Sequence, residues 1–133
     1  QPRETGTACL AELHVDVYSA AATSAKLEAR IGLSGAEVSR AETVARLEEG
    51  QNTLRLELDI PSPQRWWPNG LGDQPVYTAE VRLAGHGGEW DRNAVNFGIR
   101  RIEMVHNDSS PPGADAYTMV VNGRRVFLRG WNF

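Results

Sequence analysis

Apolar and polar residues alternate strictly, with a period of two, over several stretches of the chain. The first stretch is 9–17, in which Glu12 and His14 separate apolar neighbours. The same alternation returns at 26–33, 53–60 and 77–83. Successive side chains of a strand point to opposite faces of a sheet, so each stretch predicts a β-strand with one buried and one solvated face.

The segment 34–50 carries two conflicting signals. A serine and a glutamate three residues apart near its start have the spacing of a capping box, and its Ala-, Glu- and Arg-rich sequence favours a helix. Val38 and Val44 share a parity that Leu47 does not, which suits a bulged strand. Because strands are predicted on both sides, and tertiary context overrides local propensity, we expect a strand here.

The C-terminal third adds further strands and turns. Apolar positions across 95–104 predict a strand that kinks near Gly98. A Ser-Ser-Pro-Pro-Gly run makes 107–114 a loop. Asn122-Gly123 lies between apolar positions and predicts a tight hairpin, because both residues accept positive φ. About seven short strands separated by turn signals predict an all-β fold, an antiparallel β-sandwich.

Composition narrows the possible partners. A chain of 133 residues suits one domain. The net charge of −3 argues against nucleic acid as a partner, because such a surface needs clustered Lys and Arg. Cys9 is the only cysteine, which excludes an internal disulfide. The sequence contains no signal or transmembrane segment, so we expect no membrane partner and leave the localisation open.

The residues that could carry chemistry do not form a recognisable site. His14, His86 and His106 are scattered and lack the spacing of metal ligands. Ser109-Ser110 lies in the Pro-rich loop with nothing nearby to activate a hydroxyl. No pair of carboxylates can be chosen by spacing. We therefore expect no catalytic residue, no metal and no cofactor in this chain.

The most distinctive stretch contains the adjacent tryptophans Trp66 and Trp67, followed by Pro68-Asn69-Gly70. An indole ring can stack on the C–H face of a sugar, or it can be buried against a neighbouring layer. Adjacent tryptophans in a loop point in different directions and rarely form one flat platform. The pattern therefore favours burial, with the following residues making the turn.

Three motifs, in order, carry a resemblance to a known family. Residues 65–77 read RWWPNGLGDQPVY, residues 97–100 read FGIR, and residues 117–133 contain VVNGRRVFLRGWNF. They resemble the signatures of glycoside hydrolase family 2, and within it those of β-mannosidases and exo-β-glucosaminidases. Arg124-Arg125 departs from the usual small residue plus proline, and Trp131-Asn132-Phe133 stands where Ala-Asn-Trp is common.

The resemblance implies a place for this chain within a larger enzyme. It would comprise a linker or frayed terminus at 1–7, an immunoglobulin-like β-sandwich at 8–128 and the start of a (β/α)8 catalytic barrel at 129–133. Its partners would be the catalytic barrel and the jelly-roll domain of the same parent. Family members hydrolyse glycosides with retention, using two glutamates of the barrel. Neither glutamate belongs to this chain, which would meet carbohydrate only through the parent and would be inactive alone.

The resemblance also assigns candidate residues. Trp131 and Asn132 are candidates to approach the sugar in the intact enzyme. Four others are expected to dock the sandwich on its neighbours, namely Trp66, Trp67, Pro68 and Arg100.

Two other classes of protein are alternatives to the scaffold domain. One is a stand-alone carbohydrate-binding or adhesion module that uses the Trp66-Trp67 loop. The other is a partner-binding immunoglobulin-like domain that uses exposed strand edges. The apolar run at 127–133, which stops inside an expected strand, favours an excised domain over a self-contained module.

Overall fold

A computed structural model describes residues 3–5, 8–114 and 116–127, and these residues form ten β-strands and no helix. The strands are β1 (Arg3–Thr5), β2 (Ala8–Ser19), β3 (Thr23–Leu33), β4 (Ala36–Leu47), β5 (Gly50–Pro61), β6 (Tyr77–Gly85), β7 (Gly88–Phe97), β8 (Ile102–His106), β9 (Tyr117–Val121) and β10 (Arg124–Val126). It follows that none of the described residues belongs to a membrane-spanning helix.

The strands form three antiparallel sheets. One sheet has the order β4-β3-β6-β7, the second β1-β2-β5 and the third β10-β9-β8. The first two face each other across a shared hydrophobic core, to which β2 and β5 contribute from one side and β3, β4 and β6 from the other. The predicted all-β antiparallel sandwich is confirmed.

The core follows directly from the alternation of the sequence. Buried positions fall on every second residue of the long strands, and the charged residues between them face solvent. Burial of one face of each sheet is the main source of stability in such a fold. The fully buried side chains of largest volume are Tyr77, Leu27, Ile31, Leu47, Leu58, Ile60, Ile99, Val121 and Cys9.

Segment 34–50 forms strand β4, as expected, and the structure explains its mixed signals. Ser34 and Gly35 have φ values of 52° and 83° and make a two-residue hairpin turn between β3 and β4. The serine that resembled a helix cap is therefore a turn residue. The register of β3 against β4 shifts between Ile31 and Gly32, which leaves Val38 as the extra residue of a β-bulge.

The expected linker at 1–7 and the expected barrel start at 129–133 can be compared with the structure to different extents. Residues 3–5, within the stretch expected to be a linker, form β1, which pairs with Ala8–Leu10 of β2. Pairing satisfies backbone groups on the edge of β2 that would otherwise need water. The expected barrel start at 129–133 lies outside the described residues. The loop predicted at 107–114 is a series of turns.

The outer face of the four-stranded sheet carries a network of ion pairs. Glu28 on β3 accepts hydrogen bonds from Arg30 (2.8 Å) and Arg40 (2.9 Å). Glu80 on β6 accepts them from Arg82 (2.8 Å) and Arg92 (2.7 Å). Cross-strand pairs of opposite charge stabilise a sheet modestly and keep its face compatible with water.

These ion pairs predict a loss of stability in acid. Hydrogen bonds from Arg92 and then Arg82 lower the pKa of Glu80 below its usual value of 4.5. A carboxyl whose pKa is depressed by folding stabilises the protein above the unfolded-state value and loses that contribution as pH falls through the folded-state value. The midpoint temperature of thermal unfolding should therefore decrease as the pH is lowered below about 4.5. The thermal midpoint of Glu80→Gln should decrease less over that pH range than the midpoint of the wild type or of a Glu57→Gln control. Equal slopes of midpoint against pH would contradict the assignment.

Candidate functional site

The tryptophan loop, residues 62–76, connects β5 to β6 and is anchored on the segment that follows β7. The N–H of Trp66 donates to the carbonyl of Ile99 over 2.8 Å. Arg65 forms an isolated parallel bridge with the same residue. Ile99 is only 2% exposed, so the anchor reaches into the core. The loop is thus held in place by backbone bonds at its start.

The second half of the loop folds around Trp67. Its N–H donates to the carbonyl of Asp73 over 2.9 Å, and the side-chain amide of Gln74 donates to its carbonyl over 3.2 Å. Gly72 lies against the indole, so a Cβ there would come within 2.8 Å of a ring carbon. A turn at 68–71 closes with a 3.0 Å hydrogen bond. Trp67 is therefore half-buried in its own loop.

The Trp66 side chain lies against two residues of the FGIR motif. The guanidinium carbon of Arg100 lies 4.7 Å from the ring centroid, within the range of a cation–π contact. A Cβ on Gly98 would lie 3.1 Å from the Cβ of Trp66, closer than side chains normally pack. Gly98 thus leaves the room that the indole needs. The two tryptophans have separate surroundings, as expected of adjacent residues in a loop.

Asn122 joins the β9–β10 hairpin to this site. Its φ of 51° and the 82° of Gly123 confirm the predicted tight turn. Its side-chain amide donates to the carbonyl of Trp66 over 3.0 Å, and its side-chain oxygen accepts from the N–H of Arg101 over 2.9 Å. The sequence predicts the turn but not these side-chain bonds. The available signal was that asparagine, unlike glycine, brings a donor and an acceptor to such a turn.

Tyr77 is a second positioning residue, and its role was not predicted from the sequence. The residue is 1% exposed, and its ring stacks on Phe97 with centroids 5.5 Å apart. Its buried hydroxyl accepts a 2.8 Å hydrogen bond from the N–H of Gln64, at the start of the tryptophan loop. A tyrosine at a core position was the signal, because a buried hydroxyl needs a partner.

An apolar surface, here called the docking face, covers one side of the β10-β9-β8 sheet. Ile102 is 46% exposed, Met104 59% and Tyr117 65%. The register places Met104 opposite Met119 on this face, and Ile102 opposite Val121, which is itself only 1% exposed. Beside the sheet, the turn of the tryptophan loop at 68–71 forms a groove with β9 and β10, which Phe127 also lines.

Three of the four residues predicted to dock the sandwich lie in the tryptophan loop, and Arg100 lies in the segment on which that loop is anchored. Arg100 contacts the Trp66 ring, Trp67 packs within its own loop, and Pro68 lines the groove. Trp131 and Asn132 lie outside the described residues. Across residues 3–5, 8–114 and 116–127, no three His, Cys, Asp or Glu side chains come together as a metal site.

Fold and site together define an all-β sandwich domain with an anchored tryptophan loop and an exposed apolar face. Residues 4–100 match the sequence profile described as Glycosyl hydrolases family 2. The chain belongs to family 2 of the glycosyl hydrolases. The resemblance carried by the three motifs is confirmed.

Relatives in this family are much longer than the chain. It is 30% identical over 115 residues to a protein of Aspergillus clavatus named beta-mannosidase B, a match that covers 86% of the chain and 13% of the relative. It is 40% identical over 72 residues to mannosylglycoprotein endo-beta-mannosidase of Lilium longiflorum, covering 53% of the chain and 7% of the relative. The chain therefore spans only a small part of the proteins that it matches.

A solved structure shows the same relation. The beta-D-mannosidase of Dictyoglomus thermophilum superimposes with a TM-score of 0.86 and 26% identity, covering 100% of this chain and 16% of that one. The whole chain thus corresponds to one portion of a larger family member.

Proposed function

We propose that the chain is the non-catalytic immunoglobulin-like domain of a β-mannosidase-like enzyme, in which it positions the catalytic barrel for hydrolysis of terminal β-glycosides. Family membership and the mannosidase names of the relatives support this reading. The small share of each relative that the chain covers supports a role inside a longer parent.

The docking face carries the proposal. Contiguous exposed apolar side chains on a soluble domain mark an interaction surface. Met104 and Tyr117 are more than half exposed here, and the groove beside the tryptophan loop adds Phe127. The outer face of the four-stranded sheet is instead covered by ion pairs and suits water. We assign the docking face and the tryptophan loop to the contact with the barrel.

In this proposal the chemistry belongs to the parent. Retaining hydrolysis needs two carboxyl groups about 5–5.5 Å apart on either side of the scissile bond. Both are assigned to the barrel, so the isolated chain is inactive. Trp131 and Asn132 stay candidates for approaching the sugar where the barrel begins.

The surroundings of the tryptophans favour the scaffold over a carbohydrate-binding module. A sugar stacks on an open indole face. The Trp66 ring carries Arg100 at 4.7 Å, and Trp67 is packed against Gly72. Both rings are half-buried and already in contact with their own loop or with Arg100, which favours a structural role for them.

The test compares the isolated chain with its full-length parent. We expect the parent, but not the isolated chain, to hydrolyse aryl β-mannoside or aryl β-glucosaminide. Which of the two is hydrolysed faster would indicate the subfamily. Calorimetry with manno- and chito-oligosaccharides should show no binding to the chain. Saturable binding that a Trp66→Ala or Trp67→Ala substitution abolishes would replace the scaffold with a carbohydrate-binding module. A parent that cleaves neither glycoside would contradict the assigned activity.

A further inference from the structure

The four-stranded sheet ends at β7, and the described residues place no strand on the outer side of that strand. A strand at the end of a sheet has a row of backbone N–H and C=O groups that no neighbouring strand uses. Such an edge can pair with a strand of another molecule, which leads to association or aggregation. The partners of the N–H groups of β7 therefore decide whether the sheet can grow at this edge.

Two N–H groups of β7 are bonded to side chains of the strand itself. The N–H of Arg92 donates to the carboxylate of Asp91 over 2.7 Å. The N–H of Ala94 donates to the side-chain oxygen of Asn93 over 2.8 Å. Successive N–H groups of a strand point to opposite sides, so those at 92 and 94 point to the same side. An N–H in the ladder with β6 points at a carbonyl of that strand, so both side-chain bonds lie at the free edge.

A β-bulge deforms the first part of the same edge. The register of β6 against β7 shifts between Leu83 and Ala84, which leaves Trp90 as the extra residue of the bulge. A Cβ on Gly85 would overlap the Trp90 ring, so the indole lies back on β6. Because a bulge bends and twists its strand, an edge that contains one pairs poorly with a regular strand.

We propose that Asp91 and Asn93 close the free edge of β7 against strand addition, together with the bulge at Trp90. A strand that pairs with this edge must take the N–H groups of Arg92 and Ala94 from their present acceptors. The exchange of one hydrogen bond for another leaves the incoming strand little net gain. The proposal removes β7 from the strand edges that a partner-binding domain would use, and it does not depend on the proposed function.

The first test removes the two acceptors. We expect Asp91→Ala combined with Asn93→Ala to raise the association constant for self-association of the chain by roughly tenfold or more, because two N–H groups then lack a bond that pairing would supply. Sedimentation velocity at increasing protein concentration measures this constant. Hydrogen exchange should show that the amides of 92 and 94 become protected as this double variant associates.

The matched control removes the same two functional groups from positions that do not cap this edge. It combines Asp59→Ala, on the exposed face of β5, with Asn96→Ala, on β7 itself. The side chain of Asn96 accepts a hydrogen bond from the hydroxyl of Thr78 over 2.8 Å. The control has the same change in net charge, and we expect it to associate no more than the wild type.

Proline substitutions show on which side of β7 the capped N–H groups lie. Proline lacks an N–H, so an edge strand tolerates it only where the N–H faces away from the sheet. Ala94→Pro should therefore change the thermal midpoint little, whereas Val95→Pro should lower it strongly by removing a bond to β6. Added to the double variant, Ala94→Pro should return self-association to the level of the wild type.

Three results would overturn the proposal. Association of the double variant no stronger than that of its control would show that the side chains do not limit pairing. Association that persists after Ala94→Pro is added would place the contact on another surface. Equal losses of stability in Ala94→Pro and Val95→Pro would show that the N–H of residue 94 belongs to the ladder with β6. This last comparison decides the matter even if the double variant fails to fold.

Discussion

Replacing Trp66 by alanine is expected to lower the free energy of unfolding of the domain by about 3 kcal/mol. The substitution removes a half-buried indole that fills the space left by Gly98 and supports Arg100. Of this loss, the cation–π contact accounts for about 0.5–1 kcal/mol, which Arg100→Ala should remove alone. The rest comes from lost packing between the tryptophan loop and the segment at Ile99. Urea unfolding of the chain and its variants measures these differences.

The matched control for Trp66 is an aromatic residue that packs against little. Tyr18 is 80% exposed, so Tyr18→Ala should change the free energy of unfolding by no more than about 0.5 kcal/mol. The hydrogen bond from Asn122 to the carbonyl of Trp66 involves the backbone and survives the substitution. If Trp66→Ala proves as mild as the control, backbone bonds alone hold the loop and the indole serves another purpose.

Four long strands could be predicted from the sequence because each has one buried and one charged face. Strand β4 was harder, since the bulge at Val38 reverses the parity of its inward residues and a turn serine imitates a helix cap. Both features depend on the pairing of β4 with β3. Strand β3 lies outside the segment, so the residues of the segment alone cannot reveal them. The strand was predicted from its neighbours rather than from its own residues.

The first part of β7 could not be predicted because it lacks a buried face. Nearly all of its residues, from Gly88 to Asn96, are exposed. Alternation arises when one face is buried, so a strand at the open side of a sandwich has no such pattern to show. Only its end at Val95 and Phe97 was predicted. Among the described residues no strand covers β7, and its sequence accordingly lacks the alternation of a half-buried strand.

The tryptophan loop was identified from its residues, but its attachments were not. Asn122 reaches Trp66 across 56 positions of sequence, and Gln64 reaches Tyr77 through a backbone donor that any residue carries. Such bonds are decided by the fold, which brings the hairpin and the loop together. The motifs thus indicated that the loop matters, and only the structure shows which contacts hold it.

The docking face gives a second prediction with a large effect, which appears only in the parent. Met104→Glu should lower the thermal stability of the full-length enzyme and weaken the contact by about 3 kcal/mol or more, because an unpaired charge would be buried against the barrel. Met104 is 59% exposed in the chain by itself, so the isolated domain should keep its stability within about 0.5 kcal/mol. Thermal unfolding of both proteins measures the difference.

Val44→Glu is the matched control, because Val44 is also a large exposed apolar residue, at 73%, but lies on β4, away from the docking face. We expect it to leave both the parent and the isolated domain unchanged. A parent that tolerates Met104→Glu as well as Val44→Glu would exclude the docking face as the contact with the barrel. Loss of stability in the isolated domain would instead show that Met104 supports the β10-β9-β8 sheet itself. Only a loss confined to the parent assigns this surface to the neighbouring domain.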